Sequence, residues 1–209
     1  MTLLSSRLVT ATSNDSVGVR DALREHTRSR HTAAGRSPPM RRLFADDYTL
    51  AEYRAHLGRI FGFIEPVERM AARVFPADVL VHAIWRTGML RDDLAALGSS
   101  PSDIDALERC DELPEFTGAG GGGYVYVTLG STLGGKMIAE QVRSVLGPQV
   151  ALAFYAAGSG EGDHRWADFC LGLEQRGPGD LEALCATAAA MLDAYGDWMQ
   201  RPDSNDADS

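Results

Sequence analysis

Two short stretches of the chain hold residues whose types and spacing could do chemistry. The first is Leu23-Arg24-Glu25-His26-Thr27-Arg28-Ser29-Arg30-His31-Thr32. On an α-helix Arg24 and His31 fall nearly eclipsed on one face, separated by about 10.5 Å along the axis. An imidazole nitrogen can bind iron, and the other ring nitrogen then needs an acceptor that fixes the tautomer. An arginine two turns earlier can reach a carboxylate at the edge of a flat macrocycle. His26 lies about 140° round the same helix, so one helix cannot offer both histidines to one metal. The plainer alternative is a surface or satisfied core histidine.

The second stretch is Leu129-Gly130-Ser131-Thr132-Leu133-Gly134-Gly135-Lys136. Gly130, Gly134 and Gly135 fall on one side of a helix, where three glycines together cost about 3 kcal/mol relative to alanine. One compensation is functional: bare backbone can lie against a flat ligand and flex over it. The other is close packing of helix on helix. A phosphate-binding loop does not fit, because Met137 follows Lys136 where such a loop has Ser or Thr.

These stretches need rods to hold them, and helical periodicity dominates the chain. Asp15 or Ser16 can cap a helix that runs through His31 to Gly35 and the Pro38-Pro39 break. Thr49 with Glu52 is a capping-box pattern, and Tyr53, Leu57, Ile60, Phe61, Ile64 and Val67 follow at helical spacing, with a kink expected at Pro66. Another helix is expected from Leu80 to Leu97, stopped at Gly98, and a short segment from Ser100 to Cys110. The run Gly118–Gly123 reads as a flexible hinge or loop. Tyr124 to Leu146 reads as a helix stopped by Gly147-Pro148, since its brief strand-like start has no second alternating run to pair with. Further helices are expected around Gln149–Ala157, Asp163–Gln175 and Asp180–Met199. The fold class is therefore all-α, a single multi-helix domain at residues 16–200. A flexible N-terminal arm (1–15) and a disordered acidic tail (201–209) flank it.

Charge narrows the partners. The 209 residues carry 20 basic and 29 acidic side chains, net −9, which argues against nucleic acid. Yet residues 20–42 hold Arg20, Arg24, Arg28, Arg30, Arg36, Arg41 and Arg42 against only Asp21 and Glu25. Such a window suits a small anion or an acidic protein, or else is a solvated face laced with ion pairs. Cys110, Cys170 and Cys185 form no metal-binding or heme-attachment spacing. With no secretion signal or membrane-spanning run in view, a cytoplasmic protein without a membrane partner is expected.

Together the two stretches resemble heme oxygenases: Leu23–Thr32 is similar to their proximal helix and Leu129–Lys136 to their glycine-rich distal helix. Arg91–Gly98, and Ser131 after Gly130, look most like the bacterial branch that supplies biliverdin to bacteriophytochromes. The likeness spans roughly Ala22 to Phe169. It implies a heme-oxygenase-like fold with heme sandwiched between proximal and distal helices, His31 being the axial ligand of the iron. It assigns Arg24 to a heme propionate, and Gly130, Gly134 and Gly135 to the backbone lying over the macrocycle. Tyr126 and Arg165 are further propionate candidates. Ser131 stands where the larger family has an aspartate that organises distal water. The implied reaction opens heme, both cofactor and substrate, to biliverdin, CO and Fe(II), using O2 and electrons from an external donor. An acidic ferredoxin or reductase would dock on the arginine-rich surface, and a bacteriophytochrome is a candidate partner.

Other readings compete. The first is a non-catalytic heme carrier or sensor with the same fold, made plausible by Ser131. The second is a related all-α enzyme of the thiaminase-like group. The third is a helical interaction protein whose glycines only pack helices. His56, His82 and His164 are read as surface or structural.

Overall fold

The structure is a computed structural model, and it describes residues 18–81, 83–157, 164–176 and 180–202. The N-terminal arm, the expected caps Asp15 and Ser16, His82 and tail residues 203–209 lie outside the described residues. Every regular element within them is helical. Six helices exceed nine residues: α1 (Val19–Gly35), α3 (Leu50–Val74), α5 (Thr87–Ala96), α7 (Gly121–Leu146), α9 (Arg165–Arg176) and α10 (Leu181–Gln200). Four shorter ones join them: α2 (Pro38–Arg42), α4 (Ala77–Leu80), α6 (Pro101–Ala106) and α8 (Ala153–Ala156). Among the described residues no helix is long and apolar enough to cross a membrane.

Local chemistry sets several helix ends where the residue pattern predicts them. The Thr49 hydroxyl accepts from Glu52 N–H while the Glu52 carboxylate accepts from Thr49 N–H, a reciprocal capping box that opens α3. Gly98 and Gly147 end α5 and α7 at φ 91° and 99°, a conformation that penalises any side chain. Helix α3 continues through Pro66. Proline has no N–H for the Gly62 carbonyl, and Cys110 N–H fills that gap at 2.9 Å.

Three expectations are corrected. The helix foreseen from Leu80 to Leu97 is helical only over α5, Thr87–Ala96, since α4 ends at Leu80. The cause is distant in sequence: the Glu68 carboxylate of α3 accepts from Arg86 N–H (2.6 Å), Thr87 N–H (3.2 Å) and the Thr87 hydroxyl (2.6 Å). An anion there satisfies the free amides of a helix N-terminus and starts α5 afresh. Gly118–Gly123 is no hinge. It forms one 3-10 turn (Gly118–Gly120) and the first residues of α7, packed directly on α10. The segment Gln149–Ala157 is helical only over Ala153–Ala156, where the Asp93 carboxylate accepts from Ala153 N–H (2.9 Å) and Phe154 N–H (2.8 Å).

The core positions the two stretches. Val19, Leu23 and Thr27 recur every four residues along α1 and are buried as it packs along α10. The α1 end is clamped by Arg30 Nε donating to Asp193 of α10 at 2.8 Å. Helix α10 also packs on α7, burying Leu184, Ala188 and Met191. Thus α1 and α7 both pack on α10.

Candidate heme cleft

Between the C-terminal half of α1 and the middle of α7 lies a cleft with a cavity volume of about 280 Å³, near the lower end of the range for ligand pockets. His31, Ala34 and Gly35 form one wall, and Gly130, Ser131, Gly134 and Gly135 the other. Apolar side chains from α3 and α10, such as Ile60, Ile64 and Met191, fill the interior, while Met40 and Phe44 close one side. His31 is exposed and lines the cleft. His26 is exposed too, but it is not part of the lining.

The glycines of α7 differ in what stands beside them. A Cβ placed on Gly134 would meet no atom within 4 Å. On Gly135 it would lie 2.5 Å from the Tyr155 carbonyl oxygen, and on Gly130 3.2 Å from the Trp166 ring. Gly135 therefore lets α8 approach, Gly130 lets α9 approach, and Gly134 leaves open space. The packing and functional explanations both hold, at different positions.

Ser131 is exposed, and its hydroxyl donates to the Thr128 carbonyl at 2.8 Å. Its proton is thus turned toward its own helix, leaving the oxygen as an acceptor. Arg24, Tyr126 and Arg165 are not among the residues that line the cleft. Arg24 is exposed on α1. Tyr126 is half-buried with its ring 5.5 Å from that of Trp166. Burial pushes the pKa of its phenol up, opposed by a hydrogen bond with Thr27 and by the positive charges of Arg24 and Arg20. Arg165 begins α9 and is exposed.

Several residues that sequence patterns did not single out build the cleft floor. Arg86 is buried there with its guanidinium 4.8 Å from the centre of the Phe154 ring. Tyr155 lines the floor beside it, and its phenol oxygen is 2.6 Å from His56 Nε2. Burial pushes His56 down to about 4, so its imidazole is neutral near pH 7. A lone arginine amid apolar Ala83, Ile84 and Trp85 was the available signal for Arg86.

The basic window is partly self-neutralised. Arg20 pairs with Asp21, Arg28 with Glu25, Arg30 with Asp193, and Arg42 with both Asp47 and Glu52. Arg24, Arg36 and Arg41 make no ion pair among the described residues. The three cysteines are buried and free, and burial raises each thiol away from the reactive thiolate. Among the described residues no group of three or more His, Cys, Asp or Glu could hold a bare metal ion.

The heme oxygenase family model matches residues 18–190. No curated protein matches the sequence. Among solved structures, heme oxygenase from Leptospira interrogans superposes with a TM-score of 0.66 at 17% identity, covering 88% of this chain and 98% of that one. At such identity the likeness speaks for the fold, an all-α heme-oxygenase-like arrangement, and the family match spans most of the chain. On that match the chain belongs to the heme oxygenase family.

Proposed function

We propose that this chain is an active heme oxygenase, opening heme to biliverdin, CO and Fe(II) with O2 and electrons from an external donor. The observation that carries the reading is the pairing of His31 with the open space at Gly134 across one apolar cleft. That arrangement suits a flat tetrapyrrole: a nitrogen ligand on one wall, bare backbone on the other, and apolar side chains between. When bound, heme supplies both the iron that activates O2 and the ring carbon that is oxidised.

The chain's own groups have distinct roles in this reading. His31 offers an imidazole nitrogen to the iron, and solvent at the exposed wall can accept from the other ring nitrogen. Gly134 lets the α7 backbone approach the ring face, while Gly130 and Gly135 keep α7 pinned to α9 and α8. Apolar residues around the ring exclude bulk water, and the Ser131 oxygen can hold an ordered water by accepting from it. Arg24, Tyr126 and Arg165, none of which lines the cleft itself, remain candidates for the propionates by the resemblance. An acidic ferredoxin or reductase would dock at Arg24, Arg36 and Arg41. Raising salt from 50 to 500 mM should then slow donor-supported turnover several-fold while ascorbate-supported turnover stays constant. The likeness of Arg91–Gly98 and Ser131 to the bacteriophytochrome-associated branch makes a bilin-binding photoreceptor the candidate consumer of the product.

The test is hemin titration followed by chromatography of the product formed under reductant and O2. Biliverdin supports the oxygenase. Hemin binding with no ring opening supports a heme carrier or sensor, which Ser131 favours because its proton is engaged with Thr128.

A further inference from the structure

The cleft floor holds a buried positive charge that clamping a flat ring leaves unused. Arg86 is 6% exposed and lines the cleft. Its Nε has no hydrogen-bond partner, and among the described residues no carboxylate forms an ion pair with its guanidinium. The nearest acid in its electrostatic surroundings, Glu68, has both oxygens committed to the start of α5. The Tyr124 phenol oxygen is likewise buried and without a partner. Tyr124, Tyr155 and Tyr195 all lie close enough to couple electrostatically with Arg86.

A buried guanidinium nitrogen left unsatisfied at the edge of a cavity calls for a partner, since native proteins rarely leave such groups bare. Arginine does not relieve the strain by losing its proton near pH 7. We propose that Arg86 makes the floor of the cleft a subsite for a compact, planar anion of carboxylate chemistry. Phe154 covers one face of the guanidinium, which leaves the N–H edge to pair with two carboxylate oxygens side by side. The cleft itself is the entry path. The carboxylate belongs either to a side arm of the tetrapyrrole, which rests on the function proposed above, or to a free small acid, which does not.

Sodium formate titrated into the ligand-free chain tests this, with ionic strength held constant by a sulfonate salt too bulky for the floor. The wild type should show a saturable rise in thermal midpoint with formate. In Arg86→Met the half-saturating concentration should rise at least tenfold. Equal responses in both proteins would overturn the subsite. If the variant does not fold, the wild type decides alone: a midpoint that follows ionic strength and not the choice of anion means water satisfies Arg86, which also overturns it. Ferric protoporphyrin binding with and without formate then separates the sources. Loss of formate binding at saturating porphyrin assigns the subsite to a side arm, and simultaneous binding assigns it to a free acid. Porphyrin binding with no formate effect on the ligand-free chain sinks the subsite alone, whereas formate binding with no porphyrin binding sinks the tetrapyrrole reading alone.

Discussion

Two glycine clusters, one at the start of α7 and one in its middle, look alike in sequence and face different surroundings. Gly120–Gly123 is filled by protein: a Cβ at Gly123 would overlap the Leu184 carbonyl, and one at Gly120 the Thr187 hydroxyl. Gly130–Gly135 is mixed, touching Trp166 and Tyr155 on two sides and nothing at Gly134. Glycine density in a helix marks close approach. Only the neighbours tell whether the approaching body is another helix or a ligand.

The first prediction attacks the filled cluster. Gly123→Ala drives a methyl into backbone that cannot step aside, and should cost about 3 kcal/mol or more in urea unfolding. Loss of less than about 1 kcal/mol would mean that α7 and α10 are not sealed there.

A pH series probes the α8 contact on which Gly135 depends. His56 is neutral and bonded to Tyr155, with its folded value depressed from 6.5 to about 4. The sign follows from linkage: the unfolded chain binds a proton more readily, so this stability is present above pH 6.5 and is lost as pH falls through 4. Up to about 3 kcal/mol of acid sensitivity should arise here. His56→Gln should flatten the stability profile between pH 6.5 and 4, and an unchanged profile would remove His56 from the account.

Within the second cluster, the neighbours predict opposite signs. Gly135→Ala meets the Tyr155 carbonyl and should lose about 1–3 kcal/mol. Gly134→Ala has open space and better helix propensity, so stability should hold or rise by up to about 1 kcal/mol. Its hemin affinity should nonetheless fall about tenfold, because the methyl stands where the ring would lie. If Gly134→Ala binds hemin like the wild type, Gly134 belongs with the packing glycines.

What could be read from the chain before folding follows from range. Thr49 with Glu52, and the stops at Gly98 and Gly147, act within a few residues, so their patterns translate directly into helix ends. His31 and the Gly130–Gly135 stretch could be singled out because each is a local helical motif, and the fold brings both to the lining of one cleft. The α4–α5 break was hidden because Glu68 caps Thr87 from another helix. The true nature of Gly118–Gly123 was hidden for the same reason, since α10 supplies the surface it packs on. Arg86 gave only the faint signal of one charge after Ala83-Ile84-Trp85, and its burial against Phe154 at the cleft appears only in the fold.

The central claim is that His31 presents the iron ligand from the α1 wall. Hemin titration of the wild type, His26→Ala and His31→Ala, followed by Soret absorbance, tests it most directly. Wild type and His26→Ala should share one saturating spectrum of a histidine-ligated ferric heme, while His31→Ala loses that signature and most ring-opening turnover. An unchanged spectrum in His31→Ala would contradict the assignment of the site.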